Sequence, residues 1–143
     1  MDILLRKATM DDGELLLKWR NDPRIHQYYF NPMPVPHDEH FAWFKFSLEG
    51  SSREIYIAET GGKPVGMLRV DKSADKKELS WAVDPDMQGK GIGTALLKEG
   101  RRLLAGELIA EIKAENIASI KMAKAAGFVL EKEENGVLLF RSQ

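Results

Sequence analysis

Gln88-Gly89-Lys90-Gly91-Ile92-Gly93-Thr94 is the stretch whose residue types and spacing point most directly to chemistry. Small residues there let a ligand approach the backbone, and successive N–H groups at the start of a helix can cradle an anion. It is not the dinucleotide fingerprint, because Thr94 stands where the third glycine belongs, and no Gly-Lys-Ser/Thr closes it as a P-loop. A tight strand-to-helix connection without a ligand is the alternative at this point. Other chemistries have less support. With no cysteine there is no thiolate nucleophile, thiolate metal site or disulfide, and no Gly-x-Ser-x-Gly elbow occurs. His37 and His40 could share a helix face, but a zinc site needs more ligands and no third histidine lies near, so no metal is expected.

The elements that must position this loop can be read from the pattern. Ile3 to Ala8 reads as a strand, and Thr9-Met10-Asp11-Asp12 as the capped start of a helix that stops near Asn21-Asp22-Pro23. Tyr28 to Pro36, aromatic and broken by three prolines, reads as an ordered extended loop and a plausible ligand wall. His37 to Glu39 opens an aromatic helix over Phe41 to Leu48. Glu54–Glu59 and Pro64–Val70, joined by Thr60-Gly61-Gly62-Lys63, read as an antiparallel hairpin. Glu78–Val83 is a further strand before the glycine loop, followed by a helix from Thr94 to about Ala105. A strand over Leu108–Ala114, a helix over Asn116–Ala126 and a strand pair, Phe128–Lys132 and Val137–Arg141, complete the order. This order predicts an α/β (α+β) protein built on a mostly antiparallel sheet with covering helices.

Length and charge set the bounds. A chain of 143 residues suits one domain over 1–143. Its 21 Lys and Arg against 22 Asp and Glu leave a formal charge of -1, which gives no field to attract nucleic acid or an anionic membrane. No apolar run approaches the roughly 18 residues of a membrane span, and Met1-Asp2-Ile3-Leu4-Leu5 lacks the basic segment of a targeting signal. A cytoplasmic protein is expected, with no nucleic-acid or membrane partner, as monomer or homodimer.

Val83-Asp84-Pro85-Asp86-Met87 and the glycine loop that follows, together with Ala95-Leu96-Leu97, closely resemble the acetyl-CoA signature of the GNAT acetyltransferase superfamily, with Gln88, Gly91 and Gly93 at its defining positions. Glu115 to Phe128 resembles the family's Asn-x-x-Ser/Ala helix ending in Gly-Phe. The resemblance implies a mixed, mostly antiparallel six- or seven-stranded sheet flanked by about four helices and splayed beside the cofactor, acetyl-CoA. It implies that amides of Gln88, Gly89, Lys90, Gly91, Ile92, Gly93 and Thr94 hold the pyrophosphate. The backbone of Trp81, Ala82 and Val83 would pair with the pantetheine arm, and Asn116 and Ser119 would approach from the later helix. Lys121 or Lys124 would meet a CoA phosphate unless, as is usual for exposed lysines, they face solvent.

Direct transfer to an amine needs a neutral nitrogen near the thioester, a polarised carbonyl and routes for protons. By the same resemblance Glu78, ten positions before Gln88, is the catalytic base, directly or through water; an exposed strand-end carboxylate is the alternative. The tyrosine that often protonates the leaving thiolate is replaced here by Ala123, so Tyr28, Tyr29, His40 or water would substitute. Trp19-Arg20-Asn21-Asp22-Pro23 with Glu39-His40 and Trp43-Phe44 is similar to acetyltransferases acting on nucleotide-linked amino sugars of the pseudaminic acid type. On that likeness Arg20 would pair with a phosphate, Asn21 with sugar hydroxyls, Tyr28 or Tyr29 would stack, and His40 would touch substrate or transfer a proton; the alternative is helix termination by Asn21-Asp22-Pro23 with Trp19, Trp43 and Phe44 as core and His40 capping or packing. Acetylation of protein N-termini or other small amines, and a non-catalytic acetyl-CoA-binding domain, are the competing readings.

Overall fold

The computed structural model of the chain describes residues 2–142. Seven strands form one sheet: β1 (Leu4–Lys7), β2 (Arg53–Thr60), β3 (Lys63–Ser73), β4 (Lys76–Val83), β5 (Leu108–Lys113), β6 (Val129–Glu134) and β7 (Val137–Arg141), in the order β1-β2-β3-β4-β5-β7-β6. All neighbours are antiparallel except β4 and β5. That parallel contact is short. It holds Lys77 against Leu108 and Glu78 against Ile109, after which the two strands part.

Five helices pack on the sheet: α1 (Gly13–Asn21), α2 (Pro23–His26), α3 (His37–Glu49), α4 (Ile92–Leu103) and α5 (Ile117–Ala125). The alternation of the strands sorts their side chains onto two faces. Leu68, Val70, Leu79, Leu108 and Phe140 face α4 and α5, where Leu96, Leu97 and Ala123 complete a buried cluster. Ile55, Ile57 and Ala82 face the other way, against Leu16, Trp19, Ile25 and Phe44 of the first three helices. Trp19 and Phe44 are thus core, with 3% and 0% exposure, as their aromatic character suggests.

The one helix that the sequence pattern leaves out is α2. Asn21-Asp22-Pro23 ends α1, but the same proline opens the next turn at its first position, and the Asp22 carboxylate accepts the Arg24 N–H at 2.9 Å. Proline at a helix N-terminus loses no hydrogen bond, which is why a stop signal doubles as a start signal here. At the other end of α1, a short 3-10 turn over Met10–Asp12 leads into the helix, and Thr9 and Asp12 cap that turn reciprocally: the Asp12 carboxylate accepts the Thr9 N–H at 2.8 Å and is gripped by Arg6 through two bonds of 2.8 and 2.9 Å.

Candidate active site

The gap between β4 and β5 is the centre of a groove. Its walls are Leu79 to Val83 on β4, Glu111 to Lys113 on β5, Asn116, Ala118, Ser119 and Met122 around α5, and Arg24, Ile25, Tyr28, Tyr29 and Phe30 from α2 and the loop after it. Beyond Glu78 the β5-facing edge of β4 has no strand partner. The Gln88 side chain donates to the Val83 carbonyl at 3.3 Å, and an edge that lacks a strand partner is what an extended, amide-bearing ligand can complete. The indole nitrogen of Trp81, which lines the groove, is buried with no hydrogen-bond partner among the described residues.

The groove runs into a second hollow at the start of α4, formed by Gln88, Gly89, Gly91, Ile92, Gly93 and Thr94 with Lys121 and Ala125 of α5. Val83, Gln88, Ala118 and Met122 border both. Gly89 and Gly91 have φ of 77° and 78°, left-handed values that favour glycine, and a Cβ on either would meet nothing within 4 Å. The first intrahelical bond of α4 is Ala95 N–H to the Gly91 carbonyl, 3.1 Å, so the amides of Ile92, Gly93 and Thr94 are the free donors of a helix start. Free amides, the positive end of the helix dipole and the space above the glycines fit a pyrophosphate. The residues present thus suit the groups of acetyl-CoA, with free amides for phosphates at α4 and an unpaired strand edge for an amide-bearing arm on β4.

Not every residue of the loop has the same task. Gly93 is buried, and a side chain on it would run into Met122, so this glycine lets α4 and α5 approach each other. Lys90 is exposed and does not border the hollow. Asn116 and Ser119 are linked to each other: the Asn116 side chain caps α5 by accepting the Ser119 N–H at 3.3 Å. Lys121 borders the hollow, whereas Lys124 faces solvent beyond it.

Glu78 is half-buried at the closed end of the gap, one residue before the groove wall begins at Leu79. Burial pushes its carboxyl above the usual range, and the negative charges of Glu111 and Asp71 add to this against Arg69 and Lys76. Asp71 is itself engaged by Arg53 and Arg69 at 2.6 and 2.8 Å. Those two arginines flank the Trp43 ring at 5.3 and 5.5 Å.

The residues assigned to the acceptor divide sharply. Tyr28 and Tyr29 line the groove; burial raises the Tyr29 phenol pKa, and the nearby Arg20 and Arg69 pull the other way. Arg20 lies over the Tyr29 ring at 4.0 Å and donates to the Asn31 carbonyl at 2.7 Å. Asn21 is bonded to Val35. Both side chains hold the aromatic loop and neither is among the residues that line the groove, while the Arg20 Nη1 is buried without a hydrogen-bond partner among the described residues. His40 also lies outside the groove lining, in the packing role that is the alternative for it. It is 5% exposed, its Nε2 is 3.0 Å from the Gly13 carbonyl, and it packs among Phe41, Trp43 and Phe44 between α1 and α3. His37 is at the surface with Nε2 2.9 Å from Glu14. Among the possible proton donors to a leaving thiolate, the two tyrosines are at the groove, and Ala123 is fully buried in the core.

Two groove residues carry no sequence motif. Arg24 bonds Asp22 at 2.8 Å and reaches Asp86 at 3.2 Å, joining α2 to the turn before the glycine loop. Glu111 interrupts the otherwise apolar run Leu108 to Ile112, and that lone acid in a sheet strand was the available signal.

The sequence matches the acetyltransferase (GNAT) domain family over residues 2–129. It is 35% identical over 107 residues to an uncharacterised N-acetyltransferase of Methanocaldococcus jannaschii, covering 64% of this chain and 45% of that protein. The chain spans less than half the length of the curated relatives it matches. Similar solved structures include the aminoglycoside acetyltransferase AAC(6')-Ib with coenzyme A and kanamycin, with a TM-score of 0.85 at 19% identity, covering 99% of this chain and 95% of that one. Another is spermidine N-acetyltransferase from Vibrio cholerae with CoA and spermine, with a TM-score of 0.82 at 18% identity and coverage of 97% and 92%.

Proposed function

The chain belongs to the GNAT acetyltransferase family, and from that premise we propose that it transfers an acetyl group from acetyl-CoA to a primary amine of a small molecule. The observation that carries this reading is the continuity of two features: an anion cradle at the start of α4 opens into a gap whose β4 edge is unpaired. Bound acetyl-CoA would supply an activated acyl group. The amides of Ile92, Gly93 and Thr94 fix the donor by its phosphates, and the free edge of β4 aligns the arm that leads to the gap. Glu78 accepts the proton that the attacking nitrogen must lose, a role suited to a carboxyl whose burial raises its proton affinity. Tyr28 and Tyr29 are the groove's phenols for returning a proton to sulfur.

A small molecule is favoured over a peptide because the loop after α2 crosses the gap. The Phe30 ring, from that loop, lies 5.8 Å from the Lys113 Nζ on β5, so the loop partly covers the acceptor side. The nucleotide-linked amino sugar expected from sequence has less support, since Asn21 is bonded to Val35, Arg20 donates to the Asn31 carbonyl and Arg24 is paired with two aspartates. The test is a panel of acceptors with acetyl-CoA and mass detection of the product: aliphatic amines, amino sugars, nucleotide-linked amino sugars and N-terminal peptides. Acetylated small amines support the proposal. Acetylated peptides alone, or acetyl-CoA binding with no acceptor, would replace it with one of the competing readings.

A further inference from the structure

We propose that Glu111 binds a second amino group of the acceptor, one that stays charged while its neighbour is acetylated, so that the preferred substrates carry at least two amines. The inference rests on the acetyltransferase reading above. Glu111 is the one carboxylate among the residues lining the groove, and it is exposed. Its backbone is paired with Leu139 of β7, and among the described residues its carboxylate takes part in no hydrogen bond or ion pair. The other charges of the groove wall are occupied: Arg24 is held by Asp22 and Asp86, and the Lys113 ammonium leans over the Phe30 ring.

Its position fixes which nitrogen it can serve. Ile109 is the last β5 residue paired with β4, opposite Glu78, and Glu111 is two residues further along on the same face. The two carboxylates thus lie on one side of the gap about 7 Å apart along the strand direction, at roughly 3.3 Å per residue. The nitrogen that attacks must be neutral, and a solvent-facing carboxylate beside it would hold its proton on. Glu78, deeper and desolvated, suits the proton transfer; Glu111 suits a nitrogen that remains an ammonium. The rings of Tyr28 and Phe30 along the same wall offer faces that attract a cation.

The chemistry balances without any further reactant. The N–C bond forms as the C–S bond breaks; the proton lost by the attacking nitrogen passes to Glu78 and on to solvent, CoA leaves as a thiolate that takes a proton from a groove tyrosine or water, and the second ammonium keeps its proton throughout.

The experiment compares 1,4-diaminobutane with 1-aminobutane, in wild type and Glu111→Gln, reading kcat/KM for each amine and acetyl-CoA affinity by calorimetry. Wild type is expected to prefer the diamine by about ten- to a hundred-fold, the range of one charge-assisted contact. In Glu111→Gln the preference should collapse toward unity with acetyl-CoA affinity unchanged. The acidic limb of the pH profile should also move to lower pH, because a negative neighbour that raises the proton affinity of Glu78 has gone. A preference that survives Glu111→Gln, or a wild type indifferent to the second amine, overturns the inference and leaves acetyl transfer standing. A wild type that acetylates neither these two amines nor any acceptor of the wider panel overturns both.

Discussion

Asn21 and Val35 are joined by two hydrogen bonds of 2.8 Å, the side-chain amide donating to the Val35 carbonyl and its oxygen accepting the Val35 N–H. The last residue of α1 thereby behaves as a strand partner for the far end of the loop that roofs the groove. Arg20 adds a third tie at Asn31. Asn21→Ala should therefore act on the acceptor without touching the donor. Two lost bonds are worth about 1 to 3 kcal/mol together. The amide of Val35 should exchange faster and the acceptor KM should rise, with acetyl-CoA affinity as in wild type; unaltered exchange at Val35 would show that the loop is held by other means.

Glu78 leads to a prediction about pH. Its carboxyl is raised by burial first and by Glu111 and Asp71 next, so it still binds a proton where an ordinary glutamate, with a pKa of about 4.3, would not. Only the ionised form can accept a proton, so kcat/KM should climb as pH rises through that elevated value. Glu78→Gln should lose this limb and about two to four orders of magnitude in rate, the usual contribution of a positioned base. Calorimetry should find its acetyl-CoA affinity unchanged. A glutamine variant with the wild-type profile would assign the limb to another group.

Gly91 and Gly93, two residues apart in one motif, should fail in different ways. Gly91 has φ of 78° and open space around it, so Gly91→Val strains the helix start and puts methyl groups where the phosphates belong. Acetyl-CoA binding should weaken by about tenfold or more, since the lost contacts are to a charged group. Gly93→Ala instead drives α4 against Met122, and overpacking of this kind costs about 1 to 3 kcal/mol. Its melting temperature should fall, and Met122→Ala should recover part of the loss in the double variant. No recovery would mean that Met122 is not the obstacle.

These two glycines also mark how far the sequence could be read. The hairpin over Thr60 to Lys63, the strand before Asp84 and the strand–loop–helix at Gln88 to Thr94 all follow from local pattern and turn chemistry, and all are present. Which glycine faces the ligand and which faces a helix depends on packing between α4 and α5, and no local signal carries that. The acceptor side is less legible for the same reason. Arg20 and Asn21 have the chemistry of ligand-binding residues, yet their partners are carbonyls 11 and 14 residues further on. Glu111 stands in no motif, and only the divergence of β5 from β4 turns it into a groove residue.

His40 provides a test of the packing beneath the loop. Its Nε2 bonds the Gly13 carbonyl, which requires a proton on that nitrogen, and the neutral ring already supplies one. Burial lowers its pKa, and the positive charges of His37 and Arg20 work in the same direction against Glu14 and the Gly13 carbonyl. The folded pKa thus lies below the unfolded value of about 6.5, and between the two the unfolded chain binds the extra proton. Stability should be complete above about pH 6.5 and decline as pH falls through that window toward the folded pKa. His37 works in the opposite sense, because Glu14 first and Asp38 next raise its pKa, so a control is needed that removes only the buried ring. His40→Gln is suitable, since its amide can donate to the same carbonyl and does not titrate. Denaturation of both proteins from about pH 8 to about pH 5 should give a stability difference that shifts in favour of the glutamine variant as the pH drops through the histidine range. A difference independent of pH would mean that the imidazole is protonated equally in the folded and unfolded chain.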